Sequence, residues 1–96
     1  MDAARELIAA LGGSANILDV EPCAMRIRVE VDSQADVREP GLRIPGVLGV
    51  VRSGSFVQII AGLDSEPLAD SMRDLLVAER TAGASLVDSA DAYDEP

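Results

Sequence analysis

Two stretches of the chain carry apolar residues at the spacing of an amphipathic helix. Near the start, the pattern predicts a helix over residues 3–11, whose apolar face is formed by Ala4, Leu7, Ile8 and Leu11. A longer helix is predicted over residues 64–80, whose apolar face is formed by Leu68, Met72, Leu75 and Leu76. Asp2 is suited to cap the first helix, and Asp64 or Ser65 the second.

Strict alternation of apolar and polar residues predicts the clearest strand, over residues 25–31. Its apolar side is formed by Met25, Ile27, Val29 and Val31, and its polar side by Arg26, Arg28 and Glu30. One face therefore meets a core and the other meets water, as in an antiparallel sheet covered on one side. A shorter strand is predicted over residues 16–21, and Pro22 should end its pairing because proline has no amide hydrogen. The tight turn between these strands contains Cys23.

The middle of the chain predicts a second pair of strands, over residues 47–51 and 56–60, joined by a hairpin loop. A short helix is expected over residues 33–39, followed by turn-forming residues at 40–46. The order is therefore helix, hairpin, short helix, hairpin, helix. It predicts an α+β fold, with a four-stranded antiparallel sheet and about three helices covering one face.

Composition narrows the possible functions. The 96 residues suffice for one small domain, which we expect over residues 1–80, with residues 81–96 as an acidic, flexible C-terminal tail. The formal net charge of −9 argues against nucleic acid, whose phosphates need a basic face. One cysteine cannot form an internal disulfide, and we expect neither a metal nor an organic cofactor. No apolar run approaches the roughly 20 residues of a membrane span, so we expect a cytoplasmic chain without direct membrane insertion.

Cys23 and the two arginines that follow it indicate a candidate site for an anion. The thiolate, not the thiol, is the nucleophile, and nearby guanidinium groups favour it. Arginine also binds phosphate through paired hydrogen bonds in a fixed fork. Arg26 and Arg28 share one strand face, about 6.5–7 Å apart along the strand. The alternatives are a buried cysteine that only fills space and arginines that only form a solvated face.

Residues 16–32, NILDVEPCAMRIRVEVD, resemble the active-site signature of the glucose/N-acetylglucosamine-type enzyme IIB domains of the bacterial phosphoenolpyruvate-dependent sugar phosphotransferase system. The positions in register with that signature are Asn16, Ile17, Cys23, Arg26, Ile27 and Arg28. Residues 7–17 are similar to the family's helix-Gly-Gly opening, and residues 46–62 to its Gly-Val-Val and Val-Gln segment. The combined signal is specific, whereas Cys-x-x-Arg-x-Arg alone is weak.

The resemblance implies a phosphocarrier enzyme. In the family, a cysteine accepts a phosphoryl group from a phosphohistidine of enzyme IIA and passes it to a sugar bound by the membrane permease IIC. Cys23 would be the phosphocysteine nucleophile, and Arg26 and Arg28 the arginines that assist onward transfer. The chain would then be cytoplasmic, peripheral to the inner membrane through its permease partner. Two alternatives stay open: a degenerate IIB-like regulatory interaction module without phosphotransfer, and a thiol redox or sulfur-carrier protein using Cys23.

The sequence departs from the family pattern in three places, one of them a pair of residues. Met25 replaces a threonine whose hydroxyl could hold the phosphate or the turn. Glu21-Pro22 replaces the commoner Asp-Ala, which keeps the carboxylate but stiffens the approach to the cysteine. Phe56 stands where glycine is common. By alternation, Phe56 lies either on the open face with the arginines, as part of a docking patch, or in the core if the register slips.

Overall fold

The computed structural model describes the backbone of residues 2–88 and the side chains of residues 2–81. The helices are α1 (Ala3–Ala10), α2 (Glu39–Leu42) and α3 (Ser65–Asp88), and the strands are β1 (Ile17–Cys23), β2 (Arg26–Val31), β3 (Gly49–Ser53) and β4 (Phe56–Ile60). Single turns of 3₁₀ helix occupy Ser14–Asn16, Gln34–Asp36 and Gly62–Asp64. The predicted element order is therefore confirmed, and Asp2 caps α1 by accepting a hydrogen bond from the amide of Ala4 at 3.1 Å.

The four strands form one antiparallel sheet in the order β1-β2-β4-β3. Alternation along β2 and β4 sends Ile27 and Val29, and Val57 and Ile59, to the same face, where all four are fully buried. Helices α1 and α3 pack over that face and contribute Leu7, Ala69 and Met72 to the core, together with Leu11 directly after α1. The α+β fold with helices on one side is thus confirmed, and the opposite face of the sheet is open.

Pro22 does not end the pairing of β1, contrary to the sequence-based expectation. The strand continues through Pro22, which lies opposite Ile27, to Cys23, which lies opposite Arg26. The reason is that β1 is an edge strand with a single neighbour. In a two-residue hairpin, the residue pair that closes the turn is hydrogen-bonded, and here that pair is Cys23 and Arg26. The next pair contains Pro22 and is not hydrogen-bonded, so the backbone nitrogen of Pro22 faces away from β2. Cys23 therefore lies at the end of a strand rather than in a loop.

The segment between the two hairpins also differs from the prediction. The expected helix over residues 33–39 is a 3₁₀ turn at Gln34–Asp36, and the four-residue α2 forms within the stretch expected to be a turn. Pro40 lies in the first turn of α2, where its missing amide hydrogen costs nothing. At the other end, α3 continues past residue 80 to Asp88, and residues 89–96 of the predicted tail lie outside the described residues.

Asn16 connects α1 to the strand hairpin that carries Cys23. Its side-chain amide donates to the carbonyl of Leu11 at 2.7 Å and to that of Ser33 at 2.9 Å. Its Oδ1 accepts from the amide of Ser33, also at 2.9 Å. Gly12 lies so close that a Cβ there would come within 2.7 Å of the Asn16 amide nitrogen. These contacts fix the start of β1 relative to the end of β2.

Candidate functional site

Cys23 is exposed at the mouth of the β1–β2 turn. The two turn residues, Ala24 and Met25, have positive φ angles of 45° and 70°. Positive φ at both central positions is the type I′ geometry that matches the twist of a two-residue hairpin. Met25 is 57% exposed because its turn conformation interrupts the alternation, so the prediction that it packs with Ile27 was wrong. The turn thus presents the thiol to solvent.

The sheet register brings the three predicted site residues to the open face. Cys23 lies opposite Arg26, and Glu21 lies opposite Arg28. Directly opposed residues share a face, with Cα atoms about 4.5–5.5 Å apart, and diagonal neighbours lie about 7–8 Å apart. Cys23 is therefore the direct neighbour of Arg26 and the diagonal neighbour of Arg28. This proximity is the arrangement that the sequence predicted.

Both arginine side chains are held by residues of β4. Arg26 donates from Nη1 to Oε1 of Gln58 at 2.7 Å, and the Arg28 guanidinium carbon lies 4.1 Å from the centroid of the Phe56 ring. Since β4 and β1 flank β2 on opposite sides, both guanidinium groups lean away from the strand that carries Cys23. Both positive charges are therefore ordered on the open face that also carries the thiol. The hydrogen bond and the cation–π contact that order them are made with β4 and not with β1.

Phe56 lies on the open face, which resolves the two alternatives left by the sequence. It pairs with Glu30 of β2 and with Ser53 of β3, and its neighbour Val57 faces the core. The register therefore does not slip. The phenyl ring serves as a platform for an arginine rather than as part of the core, although it remains only partly exposed.

A cleft of about 260 Å³ separates the β1–β2 turn from the beginning of α3. Its walls are formed by Pro22, Cys23, Ala24, Met25, Gly62, Leu63, Ser65 and Glu66. The carbonyl of Met25 accepts hydrogen bonds from the amides of Ala61 and Gly62, at 3.2 and 3.0 Å, and these bonds join the turn to the segment before α3. The thiol therefore borders two surfaces: the arginine-bearing sheet face and this cleft.

Sequence reasoning did not assign a role to three neighbours of the site. Gln58 is the one polar residue of β4, whose sequence is FVQII. A single polar residue in an apolar strand was the signal in the sequence that could have identified it. Ser65 was read only as a possible cap, but its hydroxyl makes no hydrogen bond. Glu66 was read as part of a solvated face; it is exposed, but it also lines the cleft beside Cys23.

Several large apolar side chains surround the site in solvent. Met25 and the 84% exposed Leu63 line the cleft, while Val51 lies on the open face opposite Gln58. Leu48, next to Gly62, is also exposed. Exposed apolar patches rimmed by polar residues are typical of protein contact sites.

Within the part of the chain that the structure describes, no helix is both long and apolar enough to cross a membrane.

Comparisons with known proteins place the chain in one family. A family model described as phosphotransferase system, EIIB, matches residues 5–37. The PTS system N-acetylglucosamine-specific EIIB component of Streptomyces coelicolor is 38% identical over 73 residues, which cover 76% of this chain and 95% of that protein. The chain belongs to the EIIB family of the phosphotransferase system. A crystal structure of one domain of the PTS system IIabc component from Clostridium difficile resembles this EIIB chain with a TM-score of 0.61 and 27% identity, over 80% of this chain and 77% of that one.

Membership gives the general role of this EIIB chain. It is a component of sugar phosphotransfer, and the EIIB domains of this system are phosphotransferase components that work with EIIA and EIIC components. The resemblance drawn from residues 16–32 is therefore confirmed. The family match at residues 5–37 covers most of α1 and all of β1 and β2, so it includes the cysteine and the two arginines of the open face.

Proposed function

We propose that this chain is a phosphocarrier whose Cys23 accepts a phosphoryl group from a phosphohistidine of EIIA and passes it to a sugar bound by the membrane permease EIIC. The observation that carries this proposal is the exposed thiol of Cys23 directly opposite Arg26, on an open sheet face that also presents Arg28. A thiol that only filled space would lie in the core on the other side of the sheet. Through EIIC, the chain would work at the cytoplasmic side of the inner membrane.

Loading of Cys23 requires little covalent assistance from this chain. The Cys23 thiol gives its proton to solvent, and the sulfur attacks the phosphorus as the phosphorus–nitrogen bond to the donor histidine breaks. Phosphoryl transfer of this kind depends mainly on in-line positioning and charge neutralisation. The chain contains no histidine, so the histidine of the relay belongs to the donor protein. An exposed sulfur at a turn leaves the line of attack open to that donor.

Arg26 and Arg28 are suited to the second transfer, from sulfur to the sugar hydroxyl. Each leans toward β4, and a phosphoryl group on Cys23 carries negative charge that would draw both guanidinium groups toward β1. Gln58 and Phe56 hold the two side chains on the same face until then. The sulfur–phosphorus bond breaks as the phosphorus–oxygen bond to the sugar forms, and the hydroxyl's proton leaves on the permease side.

Two further observations support the partners and the sugar class. The exposed apolar residues around the cleft, Met25 and Leu63 among them, provide a contact surface beside the thiol for EIIA and EIIC in turn. The S. coelicolor relative is by its name specific for N-acetylglucosamine. We therefore propose a sugar of the glucose or N-acetylglucosamine class, chosen by the permease.

The proposal is tested by mixing the chain with EIIA phosphorylated on its histidine. Intact-mass measurement and peptide mapping should find one phosphoryl group on Cys23, and Cys23→Ser should abolish the thiophosphate. Arg26→Gln and Arg28→Gln should spare loading and slow sugar phosphorylation in membranes containing EIIC. Arg73→Gln, on the exposed face of α3, is the matched control and should change neither step. Loading that persists without the thiol would refute the assignment.

A second candidate, a regulatory module without phosphotransfer, is favoured by one feature. Met25 occupies the family's usual threonine position, so a hydroxyl is missing from the turn, and both arginines are engaged by β4. Such a module would bind EIIA and report its phosphorylation state. Normal EIIA binding without any sugar phosphate in the reconstituted system would support this candidate over the phosphocarrier.

A further inference from the structure

We infer that Ser65, at the first turn of α3, binds the phosphoryl group of phosphorylated Cys23 through its hydroxyl. This inference rests on the proposed function, because it concerns the phosphorylated form of the same cysteine. It assigns the cleft, rather than the arginine-bearing face, as the place where the resting phosphoryl group is held. The arginines would then act mainly in onward transfer.

The first observation is an unpaired buried hydroxyl. Ser65 is only 3% exposed, and its Oγ is buried without a hydrogen-bond partner. Most buried side-chain polar atoms in proteins have a partner, because burying an unpaired hydroxyl is costly. By contrast, the side chain of the equally buried Asn16 makes three hydrogen bonds. The Ser65 hydroxyl is therefore a donor without an acceptor in the unphosphorylated chain.

The second observation explains why this serine is not simply a helix cap. A capping serine has an extended backbone, and its oxygen accepts from an amide two or three residues later. Ser65 instead has helical angles, with φ −61° and ψ −45°, and the amide of Ser65 donates to the carbonyl of Gly62. Its side chain is thus available for another partner. The 24-residue helix that begins here also directs its partial positive charge toward an anion at this end.

The third observation is a cleft of about 260 Å³ that both Ser65 and Cys23 line. A water molecule occupies roughly 30 Å³ of liquid, so the cleft has room for a phosphoryl group and several waters. Because the Oγ is buried, the Ser65 side chain would turn about its Cα–Cβ bond to meet an acceptor that enters the cleft, and the hydroxyl hydrogen can then rotate toward that acceptor. The cleft is therefore a compartment for a group attached to Cys23.

Glu66 opposes the binding of a phosphoryl group in the cleft, and it therefore provides a second variant for the test. Its carboxylate also lines the cleft, where it repels a phosphoryl group. Ser65 would offset part of that repulsion by donating one hydrogen bond to a phosphoryl oxygen. No covalent bond of the serine is made or broken. Opposite effects are therefore expected from removing the hydroxyl and from removing the neighbouring charge.

The experiment measures the equilibrium of phosphoryl exchange between phosphorylated EIIA and this chain, from the populations of both forms by intact mass. A hydrogen bond to a charged group is large enough to change an equilibrium about tenfold. We expect Ser65→Ala to shift the exchange about tenfold toward EIIA and Glu66→Gln to shift it toward phosphorylated Cys23. Ser71→Ala, an exposed serine of the same helix, is the matched control and should leave it unchanged.

Melting temperatures separate phosphoryl binding from a structural role. Unphosphorylated Ser65→Ala should melt at or above the wild-type temperature, because it loses an unpaired buried hydroxyl. Phosphorylation should raise the melting temperature of the wild type more than that of Ser65→Ala. If Cys23 loads normally and Ser65→Ala matches Ser71→Ala in the exchange, the inference is overturned while the phosphocarrier stands. If wild-type Cys23 does not load, both are overturned.

Discussion

Replacing Asn16 with alanine should destabilise the domain severely, because one small side chain connects three parts of the fold. The residue is 5% exposed, and its amide bonds the carbonyls of Leu11 and Ser33 while its oxygen accepts from the amide of Ser33. Alanine removes all three hydrogen bonds and leaves their main-chain partners unpaired. The start of β1 then keeps only its main-chain hydrogen bonds to the end of β2, such as that from the Asp32 amide to the Asn16 carbonyl.

The magnitude follows from the number of bonds. Each hydrogen bond contributes about 1 kcal/mol net, so three give a loss of about 3 kcal/mol in the free energy of unfolding. Domains have about 5–15 kcal/mol in total, so the loss is a large fraction. Asn16→Asp should be worse at neutral pH, because a carboxylate cannot donate and would face two carbonyl oxygens. That deficit should shrink as the pH is lowered and the introduced carboxyl takes up a proton.

Urea unfolding followed by far-ultraviolet circular dichroism is the appropriate assay, since the chain has no tryptophan. Ser14→Ala, two residues earlier in the same 3₁₀ turn, is the control and should stay within about 0.5 kcal/mol of wild type. A loss below about 1 kcal/mol for Asn16→Ala would refute the reasoning. So would an Asn16→Asp variant as stable as the wild type at pH 7.

Two other predictions concern charged contacts. Hydrogen bonding from Arg43, and more weakly from Arg52, lowers the pKa of the Glu39 carboxyl. The stability that the ionised Glu39 contributes should therefore be present at neutral pH and lost as the pH falls through that lowered pKa. An NMR titration should show Arg43→Gln returning the Glu39 pKa toward its ordinary value, and an unchanged titration would contradict this. A double-mutant cycle of Phe56→Leu and Arg28→Gln, measured by urea unfolding, should give a coupling of about 0.5–1 kcal/mol, whereas zero coupling would argue against the stack.

Local patterns were sufficient for the strands and the two long helices, but not for the short helix or for every end. The bounds of β4 at Phe56–Ile60 were predicted correctly because period-two alternation is visible over a few residues. Met25 was misassigned because two positive φ angles in the turn break the alternation without any glycine to signal it. Pro22 was misassigned because its effect depends on β1 being at the edge, which is a property of the whole sheet.

The candidate site likewise has residues that the sequence could identify and contacts that it could not. Cys23, Arg26 and Arg28 could be identified together because they lie within six residues, at the adjoining ends of two paired strands. The contacts from the arginines to Gln58 and Phe56 require the pairing of β2 with β4, which joins distant parts of the chain. The cleft that Cys23 shares with Ser65 depends on how the start of α3 packs against the turn, and no short-range pattern encodes that packing.

Because Cys23 lies on an outer strand, other extended chains could pair with that strand, and Pro22 opposes such pairing. A bare strand border offers a row of unpaired amide and carbonyl groups to any extended peptide, including the same strand of another molecule. Pro22 deletes one donor from that row, and the exposed carboxylates of Asp19 and Glu21 repel an identical border. The Cys23 thiol can therefore stay exposed on this strand while further copies of the chain are discouraged from adding to the sheet.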